Sequence, residues 1–351
     1  MTANKIREMA LACGFELAGV SRAEPVADRA WYHDWVEAGY AGEMRYLTDR
    51  RADLRDDPRH LLPSARTVIS VGKLYQTPHG ATEAPEAGWI SRYAWGDDYH
   101  HEMRCGLERL EALVRGRAGE AVESKICVDT APLLERSYAR AAGLGWIGRN
   151  TCLINQHSGS WFFLGELLIS VAIEPDCGPP PDRCGTCMRC VEACPTAAIV
   201  PLATRPAAGP LPTHTIDSRR CISYFTIELR GAVPEEYRSG MGNHVFGCDI
   251  CQDVCPWNRR APATADPAYQ PRHYAPPLES LAALTEEQFR AAFRRTPVTR
   301  ARYTGFLRNV ALAMGNARRQ SFRAPLEKLA ASTDAIVAEH ARWGLEQLKL
   351  T

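Results

Sequence analysis

The sequence predicts an α+β chain in three parts, and three observations carry that reading. Valine- and isoleucine-rich runs of strand length lie in the first 175 residues, with helical patterns between them. Eight of the thirteen cysteines crowd between residues 184 and 255. After a Pro/Ala-rich stretch the apolar residues fall at helical spacing to the end of the chain. The expected parts are an N-terminal α/β sandwich-like domain over 1–175, a cysteine-rich domain over 176–262 and a helical region over 275–351. The last resembles one or two units of a HEAT-like helical repeat.

In the first part, Ile6, Met9, Ala10 and Cys13 sit at helical spacing behind Thr2, a residue suited to cap a helix. "ARTVISVGKLY" and "ESKICVD" read as strands. "SWFFLGELLISVAIEP" reads as two strands or one long bent strand, with Gly165 at a bulge. "APLLERSYARAA" reads as a helix, with Thr130 to cap it and Pro132 in its first turn. The stretch behind it, "GLGWIGRN", matches G-x-G-x-x-G through Gly143, Gly145 and Gly148. A dinucleotide fingerprint follows a strand and opens a helix. Here a helix comes first, so Gly143 reads as a helix C-cap and a nicotinamide or flavin site is not expected.

Apolar residues make up 45% of the 351 and charged residues 24%, with a formal net charge of +1. This is the balance of a soluble globular chain, with no global bias toward nucleic acid or membrane. No run approaches the roughly 18 apolar residues of a membrane span. No secretory leader or twin arginine is legible at the N-terminus, so a cytoplasmic protein is expected.

Reduced thiols that cluster point to metal or catalysis. Cys184, Cys187, Cys190 and Cys194 are spaced x2, x2, x3 and followed by Pro195, the ferredoxin run for a [4Fe–4S] cluster. Three thiolates on so tight a loop reach three corners of one cube, and the fourth faces a second cube. A zinc knuckle usually shows two separated C-x2-C pairs instead. Cys248, Cys251 and Cys255, before Pro256, repeat the last three positions, but Val245 stands where the first is due. Cys221 is the replacement, on a short helix that Asp217 or Ser218 could cap. Ferredoxin cross-ligation then gives Cys184, Cys187, Cys190 and Cys255 to one cluster, and Cys194, Cys221, Cys248 and Cys251 to the other. Cys13, Cys105, Cys127, Cys152 and Cys177 read as small buried hydrophobes. Two clusters form a wire for single electrons, fed by an external low-potential donor.

Pro-rich "PLATRPAAGPLPTH" separates Cys194 from Cys221, and "APATADPAYQPRHYAPP" reads as a linker. Beyond it, Thr285 and Gln288 form a capping box ahead of "FRAAF". Eight arginines and no acid lie between Ala291 and Arg323. They form either a solvated face or a phosphate-binding surface. Arg300, Arg302 and Arg308 are the candidates for contact with nucleic acid.

"VDTAPLLERSYARAAGLGWIGRNT", the ferredoxin run, Cys221, "GCDICQDVCPWN" and "LRNVALAMGN" together resemble the epoxyqueuosine reductases. The resemblance implies cobalamin beside two [4Fe–4S] clusters. The implied reaction reduces epoxyqueuosine to queuosine at the wobble position of the tRNA anticodon, the last step of queuosine biosynthesis. It implies Asp129 as the proton donor and no protein histidine on cobalt. Accordingly "DYHHEM" has Asp98 and His100 of the D-x-H-x-x-G cobalamin signature but Met103 at its glycine. The resemblance further implies corrinoid contacts from Arg55, Ser91, Asp129, Ile154, Gly165, Cys248 and Asp249. Members of this family often carry a longer helical-repeat region that helps hold the tRNA, and a monomer is expected. Asp129 would need a raised pKa, which desolvation can supply against the helix dipole. Two other readings use the same clusters: a cobalamin-dependent reductive dehalogenase, which usually carries an export signal, and a ferredoxin-like electron carrier.

Overall fold

The computed structural model describes residues 1–82, 84–118, 121–202 and 213–350, and the centre of the Pro-rich insert after Cys194 lies outside them. The first part runs α1 (Ala3–Ala12), β1 (Leu17–Arg22), α2 (Asp28–Glu37), β2 (Thr67–Leu74), β3 (Trp89–Ile90), α3 (Tyr99–Ala118), β4 (Ser124–Cys127), α4 (Glu135–Ala141), β5 (Trp146–Ile147), β6 (Leu153–Ile154) and β7 (Phe162–Ile169). Four of these strands pair antiparallel in the order β1-β2-β7-β4. Period-two alternation then assigns the two faces. Ile69, Val71, Phe163, Leu167 and Ile169 meet Ile6 and Met9 of α1 and Met103, Leu107, Leu110 and Val114 of α3. Each large side chain buried there contributes about 1.5–3 kcal/mol. Val68, Cys127 and Leu168 point to the opposite face, against Leu133 and Tyr138. The result is helix, sheet and helix in three layers. Thr2 caps α1 as expected, its hydroxyl accepting the Lys5 N–H at 3.4 Å.

Several local expectations change. β7 is a single strand in unbroken register with β2, and Gly165 is no bulge. A Cβ there would stand 3.0 Å from both Met103 and Leu107, so the missing side chain lets α3 lie close on the sheet. The helix behind Asp129 starts only at Glu135, and Thr130 turns its hydroxyl to the Val128 carbonyl instead of capping it. After α4 the chain enters β5 rather than a helix. Gly143 takes φ +82° beyond the helix end, and a Cβ on Gly145 would fall 2.3 Å from the Ile154 carbonyl. The G-x-G-x-x-G glycines thus serve a helix stop and a close strand approach.

The cysteine-rich part adds β8 (Ile199–Pro201) paired with β9 (His214–Ile216), and β10 (His244–Phe246), which pairs parallel with β3. The last part holds α5 (Glu286–Ala292), with the Thr285–Gln288 capping box in place, then α6 (Arg302–Ala317), α7 (Arg323–Ala330) and α8 (Ala335–Gln347). Its core is shared. Phe289, Phe306, Val310 and Val337 pack in one cluster with Trp89, Trp95, Val245 and Phe246. The stretch read as a linker is a strap: the Ala268 carbonyl accepts the Asp97 N–H at 2.6 Å, and Tyr269 is buried in the first core. Proline and alanine suit such a strap as well as a free linker.

Arg308 overturns the expectation of a nucleic-acid contact, because it is fully buried. Its guanidinium donates to the carbonyls of Leu229 (2.9 Å), Gly231 (2.7 Å) and Phe225, and to the Asn309 side chain. Asn309 adds bonds to the Thr226 and Val245 carbonyls, both at 2.9 Å. Phe225 and Thr226 lie in the last turn of the short helix Ile222–Ile227, whose first turn follows Cys221, and Leu229 and Gly231 come just after it. A cation and an amide therefore close the end of the helix that positions a cysteine. Burial pulls Arg308 down to about 10, so it stays charged at neutral pH. Arg308→Ala strands several buried carbonyls, and chemical denaturation should read a loss of about 3 kcal/mol or more.

Candidate functional site

The cysteines separate into the two expected groups. Cys184, Cys187, Cys190 and Cys255 line one cavity of about 230 Å³, closed on another side by Ile154 and Trp257. Arg149 donates to the Cys187 carbonyl, and to the Gly185 carbonyl at 2.8 Å, which pins the cysteine loop. Burial pushes the thiols of Cys190 and Cys255 up to about 11, and neighbouring thiols of the same group add to it.

In the second group, Cys248 lies within electrostatic reach of Cys221 and Cys194, and Cys251 within reach of Cys248 and Cys221. Asp217 caps the turn before Cys221, accepting the Arg219 N–H at 3.1 Å. Cys221 then sits at the N-terminal cap of Ile222–Ile227, where the N–H groups of Ser223 and Tyr224 aim at its sulfur. Cys194 accepts the Ala198 N–H at 3.3 Å. Val245 contributes no donor side chain and is wholly buried. Two sets of four thiols, several with backbone N–H groups turned to sulfur, fit two four-iron cubes.

Of the remaining cysteines, Cys13 and Cys127 are the buried hydrophobes expected, whereas Cys177 is exposed and Cys105 partly so. Cys152 faces the thiol of Cys251. Its spacing belongs to neither cysteine motif, so nothing local in the sequence marks it.

Asp129 stands on a turn between β4 and α4, two residues past the strand, with φ +49°. Its Oδ2 lies 3.0 Å from His100 Nε2, and His100 Nδ1 lies 2.7 Å from Asp98 Oδ1. Burial pulls the His100 imidazolium down, but the hydrogen bonds to Asp129 and Asp98 outweigh it and carry it up to about 9. Both ring nitrogens are committed to carboxylates, so neither offers a lone pair to a metal. This donor set fits a corrinoid without histidine on cobalt.

Tyr99 stacks on His100 with ring centroids 4.1 Å apart, and Tyr93 stands 6.2 Å from Tyr99. Tyr93 is pushed far up by burial and by Asp129, Asp249 and Glu228, all within electrostatic reach. It thus joins the Asp129 turn to the segment that follows Cys248. Arg300 reaches the same place from the C-terminal part. It forks onto Glu228 at 2.6 and 3.2 Å and lies over the Tyr46 ring at 5.3 Å. Arg302 is exposed, and both arginines act electrostatically on Arg230. Sequence reasoning missed Arg230, Tyr46 and Tyr93, because no motif joins them. His100 was in view only as half of a failed signature.

The implied corrinoid contacts other than Asp129 are largely turned inward. Ile154 lines the first cysteine cavity and Gly165 lies beneath α3. Asp249 is buried, accepting the Ser91 hydroxyl and the Arg92 N–H at 2.8 Å, and burial carries it up to about 6. Arg55 is buried too, donating to the Arg51 carbonyl at 2.8 Å and the Tyr46 carbonyl at 3.3 Å. The polar groups of Ser91, Asp249 and Arg55 are thus bonded within the protein. Cys248 stands among the second cysteine group.

Two family matches agree with this geometry. Residues 183–258 match the 4Fe-4S double cluster binding domain, and residues 55–130 match the family described as Epoxyqueuosine reductase QueG, DUF1730. An epoxyqueuosine reductase of Pseudomonas aeruginosa is 40% identical over 98% of this chain and 94% of its own length. That of Escherichia coli is 37% identical over 98% and 89%. A crystal structure of an epoxyqueuosine reductase with an epoxyqueuosine-modified tRNA-Tyr stem loop superposes with a TM-score of 0.87. It is 26% identical and covers 98% of this chain and 89% of that one. The Streptococcus thermophilus enzyme superposes at 0.85 with 28% identity, covering 99% and 90%.

Cys221→Ala tests the second group. Iron and sulfide analysis of the anaerobically reconstituted protein should fall from about eight irons to about four. Eight retained irons would move that ligand to another side chain, with Cys152 the nearest alternative.

Proposed function

This chain belongs to the epoxyqueuosine reductase family, and from that membership we propose that it reduces epoxyqueuosine to queuosine in tRNA. The reaction removes the epoxide oxygen as water and leaves an alkene, consuming two electrons and two protons. When bound, two [4Fe–4S] clusters supply electrons singly and a corrinoid collects them in pairs. Cys184, Cys187, Cys190 and Cys255 would hold one cluster and Cys194, Cys221, Cys248 and Cys251 the other. The face made by Tyr93, Tyr99, His100 and Asp129 would take the corrinoid, backed by the Ser91–Asp249 pair.

The hydrogen bond between His100 and Asp129 carries the proton assignment. Breaking a carbon–oxygen bond is easier when the leaving oxygen is protonated as charge develops. His100 is an imidazolium at neutral pH, held between two carboxylates. One proton is therefore shared along Nε2···Oδ2. Asp129, with nearly half of its side chain exposed, can present that proton to substrate, which leaves the His100 ring neutral until it takes up another. Asp98 fixes the ring and its tautomer through Nδ1. The Tyr99 ring stacked on His100 excludes water from one side of the bridge. Arg300, Arg302 and Arg230 supply positive charge at the same mouth. They suit the phosphates of a tRNA loop, with Arg230 in the place sequence reasoning gave to Arg308.

An anaerobic assay with epoxyqueuosine-bearing tRNA tests the reading, and a fully loaded enzyme that forms no queuosine would end it. Asp129→Asn should keep both clusters and lose most turnover, about a hundredfold or more. The bridge proton adds a pH dependence. His100 binds its proton more tightly folded than unfolded, so the charged bridge is complete below the ordinary histidine value and lost as pH rises through about 9. The rate should decline there, and His100→Asn should remove that decline. Arg230→Ala with Arg302→Ala should weaken tRNA binding and lower the slope of affinity against salt by about 2.

A further inference from the structure

We propose that Glu135 and Glu166 form a carboxyl pair that keeps one proton between them and, through Glu135, sets the position of Asp129. The second half rests on the reading of Asp129 as the acid; the first half does not. Glu166 occupies an even position of β7 and points into the layer under α4, fully buried. Its register neighbours are Ser70 on β2 and Cys127 on β4. Across from it stands Glu135, the first residue of α4. Glu135 and Ser70 both come within hydrogen-bonding reach of the Glu166 carboxyl, yet neither of its oxygens nor the Ser70 hydroxyl has a partner in full hydrogen-bond geometry. A bare carboxylate in that place is cut off from bulk solvent, and no cation among the described residues acts on it.

The charges around the pair are unbalanced. Asp129 adds a third carboxylate from the turn, Cys127 lies beside Glu166, and the Tyr99 hydroxyl approaches from α3. Arg136 is the cation within reach of Glu135, and its guanidinium is already bonded to the Thr151 carbonyl and hydroxyl. Burial pushes both glutamates upward; the charge of Asp129 adds to it at Glu135 and that of Glu135 at Glu166, while hydrogen bonding to Glu166 favours the ionised form of Glu135. Two such groups cannot both ionise at neutral pH, so the pair retains a proton.

Its location follows from what each carboxyl must accept. Glu135 Oε1 takes the Asp129 N–H at 2.7 Å. A carboxylate accepts that bond better than an acid does. Glu166 is the deeper of the two and receives no N–H, so the proton sits there, free to turn toward Glu135 or Ser70. Neutral Glu166 thereby lets Glu135 stay anionic at the back of Asp129. The restraint matters because φ +49° is a conformation that a non-glycine residue keeps only when its surroundings impose it. Neither glutamate faces substrate; both are positioning residues.

The test uses the loaded enzyme under anaerobic conditions. Infrared spectra at neutral pH should contain the band of an un-ionised carboxylic acid that disappears in Glu166→Gln. If that variant does not fold, titrating the band in the wild type toward alkaline pH reads the same proton. Stability supplies a second readout. A carboxyl raised in the folded state contributes stability below the ordinary carboxylate range and loses it as pH rises through the folded value. The Tm of Glu166→Gln should therefore fall less with pH than that of the wild type. For the positioning half, Glu135→Ala should lower kcat about tenfold or more with KM for tRNA within about twofold. Glu135→Gln, whose amide oxygen still accepts the Asp129 N–H, should recover most of it. Absence of any Glu166-dependent acid band overturns the pair, and equal loss in Glu135→Ala and Glu135→Gln overturns the positioning role. A wild-type enzyme that shows the band yet forms no queuosine would instead strike at the reaction.

Discussion

The crossing of two cysteines constrains the rest of this molecule. Cys194 leaves the first motif to join Cys221, Cys248 and Cys251, and Cys255 leaves the second to join Cys184, Cys187 and Cys190. Each motif therefore has to reach into the other group. That brings residues 184–194 and 248–255 side by side although more than fifty residues separate them. The crossing also requires a fourth thiol from outside both motifs. Cys221 meets that need only if its short helix is held in place, and the Arg308–Asn309 pair on α6 holds it by closing its far end. In this way the C-terminal helices take part in building the redox centre. The shared core of Trp89, Phe246 and Phe306 extends the same tie to the N-terminal part.

The Asp129 region answers a different constraint: too many carboxyls for the cations within reach. Asp98, Asp129, Glu135 and Glu166 follow one another from the mouth of the site into the sheet. One imidazolium serves the outer two, and a retained proton serves the inner two. Glu228 and Asp249 border the same place, where Arg300 and Arg92 offset them. Arrays of this kind keep protons available in the neutral range, whereas isolated carboxyls on a surface would long since have lost them. A reaction that consumes protons beside a reduced cofactor needs such a store close to the acid and shielded from bulk water.

What the sequence made legible was local. The ferredoxin spacing, the valine-rich strands and the Thr285–Gln288 box each express one rule over a few residues, and each is found in the fold. Gly143 belongs with them, because the helix order that makes it a stop is also local. The misses share a cause. Gly165 mimics a bulge, but its absent side chain is explained by α3, an element about fifty residues earlier. The 261–277 stretch has linker composition, yet its carbonyls meet N–H groups of the first part. Thr130 and Pro132 fit the start of a helix, which predicts one directly behind Asp129. A carboxylate six residues on claims the Asp129 N–H instead, and helix begins only at that carboxylate. No period or motif relates Glu135 to Glu166, which meet only after β7 lies beneath α4.

Arginine is the residue type on which composition was least able to decide. Eight arginines in a stretch without acids suggest one surface with one purpose. Desolvation divides them. Arg308 can be buried because carbonyl groups at a helix end and an amide oxygen replace its water, so its charge is spent on holding the chain. Arg300 keeps half its duty inside, forked onto Glu228, and half at the site mouth over Tyr46. Arg302 is exposed, and Arg230, outside that stretch, donates to the Ala301 carbonyl at 3.2 Å while burial and the charges of Arg302 and Arg300 pull it down. Whether an arginine of a basic stretch holds the chain or faces solvent is thus decided by the partners that the fold supplies, a property of the fold rather than of the run of residues.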